Sequence, residues 1–189
     1  NFSEVSSNVN EVERSFKLHC CSKLRDFVFK YEDLLGKEIW DVLDEEIQQD
    51  PGAFLSAINS YASRKGNLPI YLLIDEYDNF TNTILSTYGT EYYQKATHGE
   101  GFVRGFFNVI KAATTGTGSA LQRMFITGVS PVTMDDVTSG FNIGTNITTD
   151  PWFNDLVGFS EAELREMLTY YKEQGVLMQT VDETIVMMK

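Results

Sequence analysis

The run Ile70-Tyr71-Leu72-Leu73-Ile74-Asp75-Glu76-Tyr77-Asp78 constrains the fold of this chain more than any other stretch. A short, uninterrupted apolar segment with β-branched residues reads as a strand buried on both faces, as in a parallel α/β sheet. Carboxylates that follow such a strand directly lie at its C-terminal end, where open α/β sheets bind their ligands. An Asp in that place can hold Mg²⁺ through water, and the Glu after it can polarise a water toward a γ-phosphate. The same residues also describe an ordinary strand ending in a polar turn, and the motif by itself does not choose between the two. No phosphate-cradling loop of the form G-x-x-x-x-G-K-S/T occurs in the chain. A nucleotide site built on Asp75 and Glu76 would therefore be half a site.

The remaining pattern alternates helices with buried strands, which indicates an α/β layered fold. Val9, Val12, Phe16, Cys20, Leu24, Phe27, Val28 and Tyr31 form a helical stripe over residues 8–31, with Asn8 as its expected N-cap. Gly36 breaks the pattern, and a shorter amphipathic piece carries Ile39, Trp40, Leu43 and Ile47. Asp50-Pro51 is a capping Asp followed by Pro at the first helical position, and the helix it opens runs to about Lys65 before Gly66. Residues 78–101 show no sustained period and read as a helix-containing excursion at the strand end. Phe102, Phe106, Phe107, Val109 and Ile110 mark another helix, followed by a second strand, Arg123–Gly128. A short strand is expected at Ile143–Thr148. Ser160-Glu161-Ala162-Glu163 matches a capping box, opening a helix through about Gln174 that Gly175 closes. The glycine-rich loop Thr114–Ser119 lacks a Lys and runs from helix to strand, the reverse of a phosphate loop, so it reads as a connector.

Composition narrows the function classes. A formal charge of −12 over 189 residues argues against a broad nucleic-acid-binding face, because phosphate binding rests mainly on Lys and Arg. Cys20 and Cys21 are adjacent and are the only cysteines, so no disulfide scaffold is implied and a reducing cytoplasm is the natural compartment. His19 and His98 lack metal-ligand spacing and are expected at the surface. No apolar stretch approaches the ~20 residues of a membrane span, and no signal peptide is visible.

Three segments in order carry a more specific signal: the Ile70–Asp78 run, then Arg123-Met124-Phe125-Ile126-Thr127-Gly128-Val129-Ser130-Pro131, then Leu156-Val157-Gly158-Phe159-Ser160-Glu161-Ala162-Glu163-Leu164. This order resembles the bacterial AAA-ATPase-like family of predicted ATPases, many of which precede a PD-(D/E)XK nuclease-like domain. That family has an L-I-D-E-Y-D motif, an I-T-G-V-S motif and a G-F-T-E-E-E-V-like motif in this sequence. Thr138-Ser139-Gly140-Phe141-Asn142 is similar to its S-G-x-N segment, and Asn1-Phe2-Ser3 resembles the end of its second strand.

The resemblance implies a parallel-sheet, P-loop NTPase-like core of the AAA type over residues 1–150, followed by the start of a helical lid over 151–189. Asp75 would be the Mg²⁺-associated, nucleotide-binding carboxylate and Glu76 the catalytic one. Thr127 would be the sensor toward the attacking water or γ-phosphate, with Ser130 as the second candidate. Asp78 completes a D-E-x-D string, but no helicase Ser-Ala-Thr motif follows, so it reads as a turn or cap residue. Arg104 and Arg123 match no family position for an arginine finger, and Pro131 stands where many members carry Arg.

By the same resemblance, the family's phosphate loop would precede Asn1 and a W-Y-N-G-Y-x-F-like stretch would follow Lys189. The chain is thus expected to be the middle portion of the family domain, without its first strand and phosphate loop. Apolar sheet edges would be left that favour self-association. The implied function is the Walker-B and sensor portion of an ATP-hydrolysing regulator that uses ATP and Mg²⁺ in the intact protein, with a nuclease-like module in the same chain as an implied partner; these residues alone would be incompetent. The alternative is a non-catalytic interaction domain that keeps the ATPase fold. The two strands should be parallel neighbours, with Asp75, Glu76 and Thr127 gathered at one end of the sheet.

Overall fold

The computed structural model describes residues 1–66, 68–129, 144–153, 156 and 158–188. The chain divides into two compact units, Asn1–Ile143 and Gly144–Lys189.

In the first unit, helix α1 spans Val12–Lys30 and buries Val12, Phe16, Cys20 and Val28 along one face. It starts later than Asn8. The Asn8 side chain accepts the Asn10 N–H at 3.0 Å, while its carbonyl accepts those of Glu11 and Val12. Asn8 therefore closes a turn that feeds the helix and does not cap the helix itself. A short helix, α2 (Glu32–Leu35), stops at Gly36, whose φ of 84° lies in the region a side chain disfavours. Helix α3 (Pro51–Arg64) begins where the sequence places it, with the Asp50 carboxylate accepting the Ala53 N–H at 2.7 Å.

Strand β1 (Ile70–Ile74) is followed by α4 (Asn79–Tyr88), α5 (Thr90–Thr97) and α6 (Phe102–Thr115), and then by strand β2 (Leu121–Ile126). The two strands pair in parallel, with Leu73 opposite Phe125 and Ile74 opposite Ile126. Parallel partners need a crossover connection, and α4 to α6 supply it. The side chain of Asn59 on α3 fixes the entry to β2, accepting the Leu121 N–H at 2.8 Å and the Ser119 hydroxyl at 2.9 Å.

The apolar run is buried on one face, not two. Ile70 and Ile74 lie in the core and Leu72 packs against it, whereas Tyr71 and Leu73 on the opposite face are 64% and 73% exposed. The period of two sends alternate side chains to opposite faces. The core face packs with residues from α1, α3 and α6, centred on Phe16, whose ring meets Phe2, Phe80, Phe102 and Phe106 at centroid distances of 5.2–5.8 Å.

In the second unit, α7 (Glu161–Glu173) opens with the expected capping box. The Ser160 hydroxyl accepts the Glu163 N–H, and Glu163 accepts the Ser160 N–H at 2.8 Å. Thr180 and Glu183 repeat that device at the start of α8 (Val181–Met188). Arg165 joins the two helices, lying 2.9 Å from Glu161 and 2.7 Å from Asp182. The strand expected at 143–148 does not form over residues 144–148. The Asn146 side chain takes the Thr148 N–H, and the Ile147 carbonyl takes the Asp150 N–H, which commits the local backbone to turns. Ile143 lies outside the described residues. Among the described residues no helix is long and apolar enough to cross a membrane.

Of the two histidines, His98 is exposed, but His19 is not. Its side chain is only 9% exposed, edge-on to Phe2, and burial holds the imidazole below its ordinary pKa even though Glu4 lies 3.3 Å away. Both cysteines are free and buried. Burial pushes the Cys20 thiol up to about 12 and the Cys21 thiol up to about 11. Because the thiolate is the nucleophile, native protein at pH 8 should resist iodoacetamide at both positions and react only after unfolding. Rapid alkylation of the folded protein, followed by mass spectrometry, would contradict this.

Candidate functional site at the C-terminal ends of the paired strands

The residues after β1 and β2 are drawn together because the ladder continues past the strands. The Thr127 N–H donates to the Ile74 carbonyl at 2.8 Å, and the Tyr77 N–H donates to the Thr127 carbonyl at 3.1 Å. Asp75 and Thr127 therefore sit side by side, and the Thr127 hydroxyl donates to Asp75 Oδ1 at 2.5 Å. The other carboxylate oxygen accepts the Asn1 side-chain N–H at 2.7 Å, and the Asp75 carbonyl accepts the Phe2 N–H at 2.9 Å. Asn1 thus reaches the site as the cap of a short 3-10 turn, Phe2–Glu4, where the sequence suggests the end of a strand.

Glu76 is half-buried and has a φ of 51°, the one positive value outside glycine among the described residues. A non-glycine residue held there stores roughly 1–3 kcal/mol, a kind of strain that concentrates at functional sites. The turn reverses the chain into α4, with the Asn79 N–H on the Glu76 carbonyl and the Asn79 amide on Glu76 Oε2, both at 3.1 Å.

Asp78 occupies the cap position of α4, as the sequence suggests, but its carboxylate serves the neighbouring loop. It is 1% exposed, accepts the Val129 N–H at 3.1 and 3.2 Å, and accepts the Asn82 amide at 2.8 Å. Gly128 lies against it, and only a residue without Cβ fits between the Tyr77 ring and Asp78. The turn after β1 and the loop after β2 are thereby fastened to each other. Sequence reasoning gave no role to Asn1, Asn79 or Gly128. The D-E-x-D string pointed at Asp78 without revealing what it holds.

Residues 1–138 match the family described as AAA-ATPase-like, predicted AAA-ATPase. The chain belongs to this family. No curated protein and no solved structure matches it. For a predicted AAA-ATPase the implied ligands are ATP and Mg²⁺, and the residues present can be tested against the metal. Among the described residues no three His, Cys, Asp or Glu side chains gather into a cage. Mg²⁺ needs none, since it keeps several waters and takes one or two carboxylates together with phosphate oxygens. The exposed Asp75 carboxylate, a hard oxygen donor whose two oxygens accept from Asn1 and Thr127, fits that role. Ser130, the second sensor candidate, lies outside the described residues, as do Ser139–Asn142 of the S-G-x-N segment.

Proposed function

We propose that this chain carries the Walker-B and sensor portion of an ATP-binding, ATP-hydrolysing regulatory protein with a P-loop NTPase-like core. The observation that supports the reading most directly is the meeting of Asp75 and Thr127 at the C-terminal ends of two paired parallel strands, with Glu76 on the turn beside them. In this reading Asp75 holds Mg²⁺ through water, and bound Mg²⁺ neutralises charge on the β- and γ-phosphates. Glu76 orients and deprotonates the attacking water once its side chain leaves Asn79. Thr127 donates to Asp75, and its hydroxyl lone pairs remain available to that water; Ser130 is the neighbouring candidate for the same contact. Residues 151–189 form the start of a helical lid. The protein works in the cytoplasm, with nucleotide as its ligand and a nuclease-like module in the same chain as its partner.

These 189 residues contain no phosphate loop, so nothing in them cradles the β- and γ-phosphates, and the carboxylate pair alone is a poor Mg·ATP site. Calorimetry tests the reading directly. Full-length protein should bind Mg·ATP, Asp75→Ala should weaken that binding about tenfold or more, and residues 1–189 alone should give no measurable heat. Micromolar affinity in residues 1–189 would move the phosphate site to a connector such as Thr114–Ser119. Undiminished binding by Asp75→Ala would favour the interaction-domain alternative.

A further inference from the structure

We propose that Asn1 and Thr127 act as a two-point clamp on Asp75, with Asn1 a positioning residue for the metal-holding carboxylate. The inference rests on the reading of Asp75 as the Mg²⁺-associated group.

The orientation of the Asn1 amide follows from its other partner. Its Oδ1 accepts the Ser3 N–H at 2.7 Å, so the amide nitrogen must be the end that faces Asp75 Oδ2 at 2.7 Å. The residue is held in place from behind. The Phe2 N–H donates to the Asp75 carbonyl, and the Phe2 ring is buried against Phe16 and Phe80 at 5.3 and 6.0 Å. Thr127 is equally fixed, since its N–H and carbonyl both continue the ladder with the β1 side. A carboxylate only accepts, so the hydroxyl hydrogen goes to Asp75.

One donor on each oxygen fixes the rotation of the carboxylate about its last bond. The lone pairs on the open side are left for a water on a metal. Both donors are neutral, which matters electrically. A Lys or Arg in either place would orient Asp75 equally well but would repel the cation it is meant to hold. Outer partners of this kind set ligand geometry, and their loss costs metal affinity about 10–100-fold.

The competing explanation for Asn1 is that it only caps the Phe2–Glu4 turn, and Asn1→Ser separates the two. Ser caps as well as Asn but carries no amide nitrogen to reach Asp75. The test uses full-length protein, with Mn²⁺ and a non-hydrolysable ATP analogue, and free Mn²⁺ is followed by electron paramagnetic resonance. Asn1→Ser and Thr127→Val should each weaken Mn²⁺ binding about tenfold, with the thermal midpoint of Asn1→Ser unchanged, and Thr127→Ser should restore parental affinity. Asp75→Ala is the reference variant. If it weakens Mn²⁺ binding while Asn1→Ser and Thr127→Val bind as the parent does, the clamp is overturned and the metal role of Asp75 stands. If Asp75→Ala itself binds Mn²⁺ as the parent does, the metal role falls and takes the clamp with it.

Discussion

Glu76→Gln in the full-length protein is expected to keep Mg·ATP binding and to lose hydrolysis by about 100-fold or more, the usual contribution of a general base. The substitution changes little else. Gln matches Glu in shape, and its Oε1 can still accept the Asn79 amide that holds Glu76 Oε2 at 3.1 Å. The left-handed backbone at φ 51° is no harder for Gln than for Glu. What disappears is the proton acceptor, so the loss should fall on kcat, with KM close to the parent's. Single-turnover hydrolysis alongside nucleotide-binding calorimetry reads both quantities. Hydrolysis at the parental rate would remove Glu76 from the chemistry. A collapse of binding would mean that the Glu76 charge, and not its basicity, is what the site uses.

How much of this was legible in the sequence depends on how local the determining physics is. The parallel pairing of β1 with β2 was readable, because two apolar runs separated by helical sequence have few ways to share a sheet. Asp50 and Ser160 were readable as caps because capping is settled within one turn of chain. The exposure of Tyr71 and Leu73 was not, since an apolar residue on an open sheet face spells the same as one beneath a helix. Asn8 shows a milder version of the same limit. Its side chain bonds two residues ahead, so the pattern fixes a turn there without fixing where the helix begins.

The site divides along the same line. Asp75 and Glu76 stand out because a strand end followed by two carboxylates is unusual and contiguous. What the Asp78 carboxylate holds is invisible, because its partner at Val129 lies far along the chain and is a backbone N–H, which leaves no mark on residue identity. Asn1 is hidden for a similar reason: its value comes from the Ser3 bond and the Phe2 anchor, which together aim an otherwise ordinary amide. The left-handed turn at Glu76 has no signal at all, since neither Gly nor Asn marks the position.

Gly128→Ala should destabilise the first unit by roughly 3 kcal/mol. A Cβ at this position would lie 2.6 Å from Asp78 Oδ1 and closer still to the Tyr77 ring. Neither neighbour can swing aside, because Tyr77 is 6% and Asp78 is 1% exposed. The loop after β2 must therefore retreat, which stretches the contacts of the Val129 N–H to a buried carboxylate. Overpacking and lost hydrogen bonds each cost about 1–3 kcal/mol, and here they arrive together. Gly105→Ala is the matched control. That glycine lies within α6 with nothing within 4 Å of an added Cβ, so alanine there should stabilise by about 0.5–1 kcal/mol. Urea unfolding of both variants gives the comparison. Because Thr127 adjoins Gly128, the Gly128→Ala protein should also weaken Mn²⁺ binding under conditions where it is still folded. A Gly128→Ala variant within 0.5 kcal/mol of the parent, roughly the scatter of a neutral surface change, would show that the loop gives way without cost and that Asp78 does not fasten it.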